Sequence, residues 1–307
     1  MSERKSILAG QVSDFDIRLL RVFKTVAECG SFTAAEVPLG IGRSAISIHM
    51  NDLEARLGLK LCQRGRAGFA LTEEGREVLA AIHRLLAALE AFRGDVNALH
   101  HQLRGELAIG ITDNLVSMPQ MRVTEALAAL KSQGPAVRIN IEMIPPDEVE
   151  LGVMDHRLHV GVMPWITRLE GLDYRPLYTE RSELYCAPGH GLFDIADEAL
   201  DEAMLKRFDA VSPGYAVPAD VHARHAMLTT TASASDREGV AFLILTGRYI
   251  GYLPDHVARP WVAQGRLRPL APERYFFETP FVIITRRGRR PHRVLDIFLA
   301  ALDETPA

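Results

Sequence analysis

The side chains able to do covalent or metal chemistry are scattered along this chain. Cys29, Cys62 and Cys186 are odd in number and widely spaced. They give neither a disulfide framework nor a pair of metal ligands, and they read as small hydrophobes rather than redox sensors. His156 and His159 have no evident third ligand, so no metal is expected. Gly40-Ile41-Gly42-Arg43-Ser44-Ala45 spells G-x-G-x-x-A, but no strand precedes it, as a dinucleotide fold requires. Walker, H-E-x-x-H, G-x-S-x-G and C-x-x-C patterns do not occur. The chain is read as neither an enzyme nor a cofactor carrier.

The residues that do form a pattern are those able to read a nucleic acid. Arg43, Ser44, Ser47, Ile48, His49 and Asn51 project outward from a helix expected over 44–57, whose inner face is Ile46, Met50, Leu53 and Leu57. A helix of this kind fits a major groove and brings such side chains to base edges. His49 stays open between base contact and simple exposure. An apolar helix over 16–29, carrying Leu19, Leu20, Phe23, Val26 and Ala27, ends at Gly30. Ser31 then caps a short second helix through Glu36, and the run 37–42, with Pro38, Gly40 and Gly42, breaks the pattern. Ser31 and Thr33 can donate to backbone phosphates. Short strands over 60–63 and 69–71 flank Arg64-Gly65-Arg66. That makes a β-hairpin wing whose arginines reach phosphates or a minor groove.

Beyond the wing, Thr72 caps a long helix with Glu73 and Glu74 at its positive end. Ile82, Leu85, Leu89, Phe92, Val96, Leu99 and Leu103 recur at alternating intervals of three and four. A seam this narrow on a polar helix calls for a partner helix, and homodimerisation is preferred to packing against the chain's own body. Gly105 opens a different regime. Strands are expected over 106–111, 137–144, 159–163, 183–187, 209–212, 249–253, 267–270 and 276–284. They alternate with helices over 121–131, to about 157, to 245 after a Ser235-Asp236-Arg237-Glu238 capping box, and 293–302. Alternation of this kind builds open α/β sheets, here in two lobes. The fold class is therefore α/β, with an N-terminal winged helix-turn-helix and a long dimerisation helix.

Charge follows the same division. Residues 1–104 hold 14 Lys and Arg against 12 Asp and Glu, and the remainder 21 against 27. A mildly basic module on an acidic body fits DNA binding by the N-terminal part alone. Apolar runs such as 241–245 fall far short of the roughly 20 residues of a membrane span. No signal peptide is read at the N-terminus, so a cytoplasmic location is expected and a transport-type binding protein is not. The run Arg286-Arg287-Gly288-Arg289-Arg290 reads as a solvated turn.

Phe23, Ala27-Glu28 and Gly30-Ser31-Phe32-Thr33-Ala34-Ala35-Glu36 are followed in order by Ser44-Ala45-Ile46-Ser47, Asp52-Leu53-Glu54, Leu57-Gly58, Leu61, Arg64, Leu71-Thr72-Glu73 and Gly75. This run resembles the signature of LysR-type transcriptional regulators. Gly105-Glu106-Leu107-Ala108-Ile109-Gly110, Tyr185-Cys186-Ala187-Pro188-Gly189-His190 and the turn at 247–254 resemble that family's effector domain more weakly. The chain departs from the pattern by one extra residue between Glu36 and Ser44, by Pro38, by Gly42-Arg43-Ser44 in place of Ser-Gln-Pro, and by His159 where an aspartate is usual.

The resemblance implies a winged helix-turn-helix over 1–71, a linker and dimerisation helix over 72–104, and an effector domain over 105–307. Lobe I would take about 105–175 and 276–307, and lobe II about 176–275. The domain would resemble a periplasmic binding protein, with a small effector between the lobes beyond the strand ends. The matching positions are Thr112, Asp113, Asn114, Asp147, Met163, Trp165, Thr231 and Ser233. Thr112 and Ser233 are the preferred hydrogen-bonding partners, with helix capping as their alternative role. Trp165 either lines the cleft or packs in the core. The implied partners are an inverted-repeat operator in double-stranded DNA, an unidentified small molecule, RNA polymerase, and the chain itself as a dimer doubled to a tetramer.

Overall fold

The computed structural model describes residues 12–65, 68–99, 103–112 and 115–304. The chain divides into two compact units, Met1–Leu89 and Glu90–Ala307.

In the first unit α1 (Asp14–Cys29) starts at a capping box. Ser13 Oγ accepts from Asp16 N, and the Asp16 carboxylate accepts from Ser13 N at 2.8 Å. Next come α2 (Glu36–Leu39) and α3 (Arg43–Leu57). Gly30, Gly40 and Gly58 end the three helices at φ of 60°, 63° and 62°, a left-handed turn that would cost an L side chain about 1–2 kcal/mol. The break expected over 37–42 falls later, because α2 runs through Leu39. Pro38 lies in its first turn, where a missing N–H gives up no helical bond. Ser31 Oγ accepts from Thr33 N at 3.2 Å and Ala34 N at 3.4 Å, so it caps the turn before α2 rather than the helix.

α1 and α3 meet on Leu19, Val22, Phe23, Val26, Ile46, Met50 and Leu53, with half-buried Leu39 of α2 packed against them. β1 (Cys62–Gly65) and β2 (Gly68–Leu71) then pair antiparallel, Cys62 opposite Leu71 and Gly65 opposite Gly68. The long helix α4 (Glu73–Leu99) follows, Gly75 N donating to Thr72 Oγ1 at 2.9 Å.

The second unit is built on a seven-stranded sheet. β3 (Glu106–Ile111) runs parallel to β4 (Arg138–Met143) and β5 (Val160–Pro164), with α5 (Val123–Gln133) and α6 (Pro146–Met154) as the crossovers. β3 is almost wholly buried, as expected of a strand covered on both faces. One face packs on α5 and the C-terminal helix through Leu107, Ile109, Leu130 and Phe298. The other packs on α6 through Ala108, Val149, Leu158 and Ile284. This is lobe I.

β6 (Leu172–Cys186) leaves lobe I for lobe II. There α7 (Glu202–Leu205), β7 (Asp209–Pro213), α8 (Ala219–Ala226), β8 (Thr229–Ala234), α9 (Arg237–Leu245), β9 (Gly251–Pro254), α10 (Asp255–Ala263) and β10 (Arg268–Pro269) follow. β11 (Phe276–Arg286) returns to lobe I and leads to α11 (Arg293–Glu304). β6 and β11 pair antiparallel from Phe276 opposite Glu183 to Arg286 opposite Leu172. The sheet order is β10-β6-β11-β5-β3-β4, with β9 also on β6.

The two lobes therefore share two continuous strands, and lobe II adds a parallel pair of its own, β7 with β8. The 15-residue β6 overlaps the strand expected over 183–187 only at its last four residues, 183–186. Its first half mixes buried and exposed positions without strict alternation, because it passes from one core to the other. A bulge between Phe281 and Val282, opposite Tyr178 and Pro176, marks the crossover.

Candidate nucleic-acid interface and effector cleft

Of the α3 residues expected to read DNA, Arg43, Ser44, Ile48 and Asn51 are exposed, while Ser47 and His49 are half-buried. His49 Nδ1 is buried without a hydrogen-bond partner, so the ring sits against the helix flank more than on its outer face. The altered turn before α3 is held in an unexpected way. Gly42 is the N-cap and offers no side chain, and Glu36 on α2 instead accepts from Arg43 N at 3.0 Å. Thr33 is exposed and Ser31 half-buried beside this turn. Arg64 lies in β1 opposite Phe69, and Arg66 lies outside the described residues.

The wing is anchored to α3 by Glu54. Its buried carboxylate accepts from Leu61 N at 2.9 Å, Cys62 N at 3.4 Å and Lys60 Nζ at 2.7 Å. Burial alone would raise its pKa, yet the Lys60 ammonium and the two backbone donors hold it below the usual carboxylate value.

The expected seam on α4 divides. Ile82 is buried in the core of the N-terminal unit, and Leu103, beyond the helix, packs against the lobe I core. Both ends thus face their own chain, because a seam long enough to reach each unit's core is drawn into it. Between them Leu85 and Leu89 are half-buried, and Phe92 and Val96 are 65% and 38% exposed. The side chain of Leu99 is outside the described residues.

Most of the positions expected at the strand ends lie apart from the cavity of this domain. Asp113 and Asn114 are outside the described residues. Thr112 is buried, its Oγ1 without a partner, while its N–H donates to Val162 O at 3.2 Å. Asp147 is exposed in the first turn of α6. Met163 belongs to the lobe I core, because β5 is buried along its whole length. Trp165 is 40% exposed and stacks on Tyr174 at 6.2 Å, which is neither core nor cleft lining. Thr231 and Ser233 are exposed on β8, and Thr231 Oγ1 donates to Asp209 at 2.8 Å.

The cavity itself occupies about 570 Å³ including its mouth. Its inner wall is formed by buried Val211, Val221, His225, Val240 and Tyr252, and its rim by the half-exposed Pro213, Tyr215 and Pro218. Pro164 at the end of β5, Glu180 on β6 and Thr279 on β11 bring the lobe I side and the shared strands into the same wall.

The charged groups of this cleft were not singled out from the sequence. Glu180 is 1% exposed, accepting from Arg237 Nη2 at 2.6 Å and bonding His256 Nε2 at 3.0 Å. His256 Nδ1 in turn meets Ser117 Oγ at 2.8 Å. Arg237 also lies over the Phe281 ring at 5.7 Å. Its position was a clue. A cation in the first turn of a helix opposes the helix dipole, so it needs an anion elsewhere. The expected Ser235 capping box is replaced by Asp236, which accepts from Gly239 N at 2.7 Å. A carboxylate at N-cap then offsets Arg237 locally.

His225 is the other polar group of the wall. Its Nδ1 is buried without a partner, and the ring packs edge-on to Tyr252 at 5.2 Å. Burial, helped by His222, lowers its pKa to about 4, so it is neutral at physiological pH.

Comparison with known proteins bears on both regions. Residues 17–76 match the bacterial regulatory helix-turn-helix of the lysR family, and residues 100–307 match the LysR substrate binding domain. The chain belongs to the LysR family of transcriptional regulators. It is 62% identical over 304 residues to the HTH-type transcriptional activator BauR of Pseudomonas aeruginosa, covering 98% of this chain and 99% of that one. It is 25% identical to the HTH-type transcriptional regulator CrgA of Neisseria meningitidis over 93% and 95% of the two chains.

Full-length CbnR complexed with its target DNA has the same fold, with a TM-score of 0.62 at 20% identity and 94% and 98% coverage. Membership in the LysR family makes this chain a DNA-binding regulator with an effector domain, as the signature residues implied, and its relatives are regulators rather than enzymes. Among the described residues no helix is long and apolar enough to cross a membrane.

Proposed function

We propose that this LysR-type regulator is a cytoplasmic transcriptional activator whose effector occupies the cleft lined by Glu180, Arg237, His225, Tyr252 and Tyr215. The direction of control rests on the likeness to BauR, an activator by name. The observation that carries the effector site is one buried ion pair, Glu180 with Arg237, in the wall of a cavity between the lobes. Desolvated charges of this kind contribute little to stability on their own and mark sites of recognition. Residues 1–71 form the DNA-binding domain, 72–104 the linker and 105–307 the effector domain. Arg43, Ser44, Ile48 and Asn51 read bases of an inverted-repeat operator, with Ser47 and His49 beside them. Ser31, Thr33, Arg64 and Arg66 hold phosphates. Dimers form through the exposed stretch of α4 and double to tetramers. The effector shifts the lobes and with them the contact with RNA polymerase.

The test is fluorescence anisotropy with DNA from upstream of the gene, in excess unrelated DNA and across a salt titration. Arg43→Ala is expected to cost about 1–3 kcal/mol and to relax sequence preference. Arg64→Ala is expected to weaken binding to all sequences and to flatten the salt slope by about one. Equal affinity of the wild type for operator and unrelated DNA would refute the reading. The effector reading is tested on the same complex by screening metabolites for a change in anisotropy, and Tyr215→Ala is expected to abolish the response without altering DNA affinity.

A further inference from the structure

Three buried side chains, Glu180, His256 and Arg237, form with the exposed Ser117 a continuous polar chain across the effector domain. Ser117 ends the 3₁₀ turn Leu115–Ser117 that follows β3 in lobe I. His256 is in the first turn of α10 in lobe II, Glu180 is on the strand shared by both lobes, and Arg237 opens α9 in the cleft wall. The links are Ser117 Oγ to His256 Nδ1 at 2.8 Å, His256 Nε2 to Glu180 Oε2 at 3.0 Å, and Arg237 Nη2 to Glu180 Oε1 at 2.6 Å. A carboxylate only accepts, so Nε2 carries a proton. In the neutral ring Nδ1 then accepts from the Ser117 hydroxyl.

We propose that Glu180 is a positioning residue that ties Arg237 in the cleft to Ser117 in lobe I. This rests on reading the cleft as the effector site. Glu180 uses one oxygen for each neighbour, and the carboxylate is rigid. A ligand that moves Arg237 rotates or draws the carboxylate and so alters its bond to His256. The carboxylate is almost fully buried, so no water replaces a bond it loses, and both of its charge-assisted bonds resist breaking. The move is therefore passed along the chain instead of being absorbed at Arg237. Ser117 is the lobe I member of the network, and the turn it ends leads towards α5. The contact is thus placed to relay cleft occupancy from one lobe to the other.

Native-state hydrogen exchange of the full-length protein, read by mass spectrometry, tests this without a ligand. In Arg237→Met, amides of the turn at 115–118 are expected to exchange about tenfold faster, although that turn belongs to the other lobe. Glu180→Gln and Ser117→Ala are expected to give a rise of the same size, and Ser117→Ala combined with Arg237→Met no further rise, because residues in one network are not additive. Arg237→Lys, which keeps the cation, is expected to restore most of the protection. Peptides of α5 and β3 serve as the control for general loosening of lobe I.

Faster exchange confined to α9 in Arg237→Met, with 115–118 unchanged, would overturn the proposal. So would independent, additive effects of Ser117→Ala and Arg237→Met. Should Glu180→Gln fail to fold, the Ser117 and Arg237 variants decide the question between them. A protein that shows the coupling but whose DNA complex answers to no metabolite, with or without Tyr215→Ala, would refute the effector reading and leave the coupling standing.

Discussion

Glu54 is one of the family-signature residues whose role becomes physical once its neighbours are known. It satisfies the backbone N–H groups of Leu61 and Cys62 as the chain leaves α3 for the wing. Removing it leaves those donors unpaired near a fully buried Leu61. Glu54→Ala is expected to destabilise the N-terminal unit by about 2 kcal/mol, measured by thermal unfolding, and to weaken DNA binding through the misplaced wing. Because its folded pKa is lowered, its contribution is complete above the unfolded value near 4.5 and fades as pH falls below that.

His225 has the same direction for a different reason. It is neutral in the fold with a pKa of about 4 against 6.5 unfolded, so the unfolded chain binds the extra proton and stability falls between pH 6.5 and 4. Each such group costs about 1.4 kcal/mol per pH unit in that window. His225→Phe is expected to flatten the pH dependence of effector-domain unfolding, and an unchanged profile would remove His225 from the account.

At the level of elements, α4 is seated by a close approach that only glycine permits. A Cβ on Gly75 would stand 2.0 Å from the Leu61 carbonyl oxygen, which also accepts from Thr72 N at 3.1 Å. Gly75→Ala is expected to shift the start of α4 and destabilise the first unit by about 2 kcal/mol, visible as a lower melting temperature. An alanine variant as stable as the wild type would mean that the helix start slides freely. Pro38 shows how sequence punctuation misleads at this scale. Read as a break, it sits where a helix tolerates it, and Gly40 ends the helix instead.

For the whole molecule the exposed apolar stretch of α4 is what needs a partner. Phe92 and Val96 lie open in the single chain, next to half-buried Leu89. Leu89→Glu combined with Val96→Glu is expected to halve the mass seen by light scattering and to reduce operator affinity by at least about tenfold, since two linked recognition helices bind an inverted repeat far better than one. An unchanged mass would place the interface elsewhere. Ile82 and Leu103 share the periodicity but are occupied within their own chain, so charged substitutions there are expected to unfold the protein rather than dissociate it.

The local rules carried far in the first unit. Its helices are amphipathic at regular spacing, its stops are glycines in left-handed turns, and its wing is a short hairpin, so nearest-neighbour chemistry determined the elements and the side chains that face outward. Serine, proline and glycine punctuation misplaced only the short second helix. The effector domain was legible as alternating strands and helices, but the polar network in its cavity wall was not. Glu180, Arg237, His256 and Ser117 are separated by up to 139 positions and share no motif. They meet because β6 and β11 continue through both lobes, a pairing that no local pattern encodes. Met163 was assigned to the cleft by its position after a strand and lies in the core, since β5 is covered on both faces and all five of its residues are buried. Sequence by itself determined which segments fold and which family they belong to. The tertiary structure decided which charges are buried together, because a buried ion pair is stable only where distant strands bring both partners out of water at once.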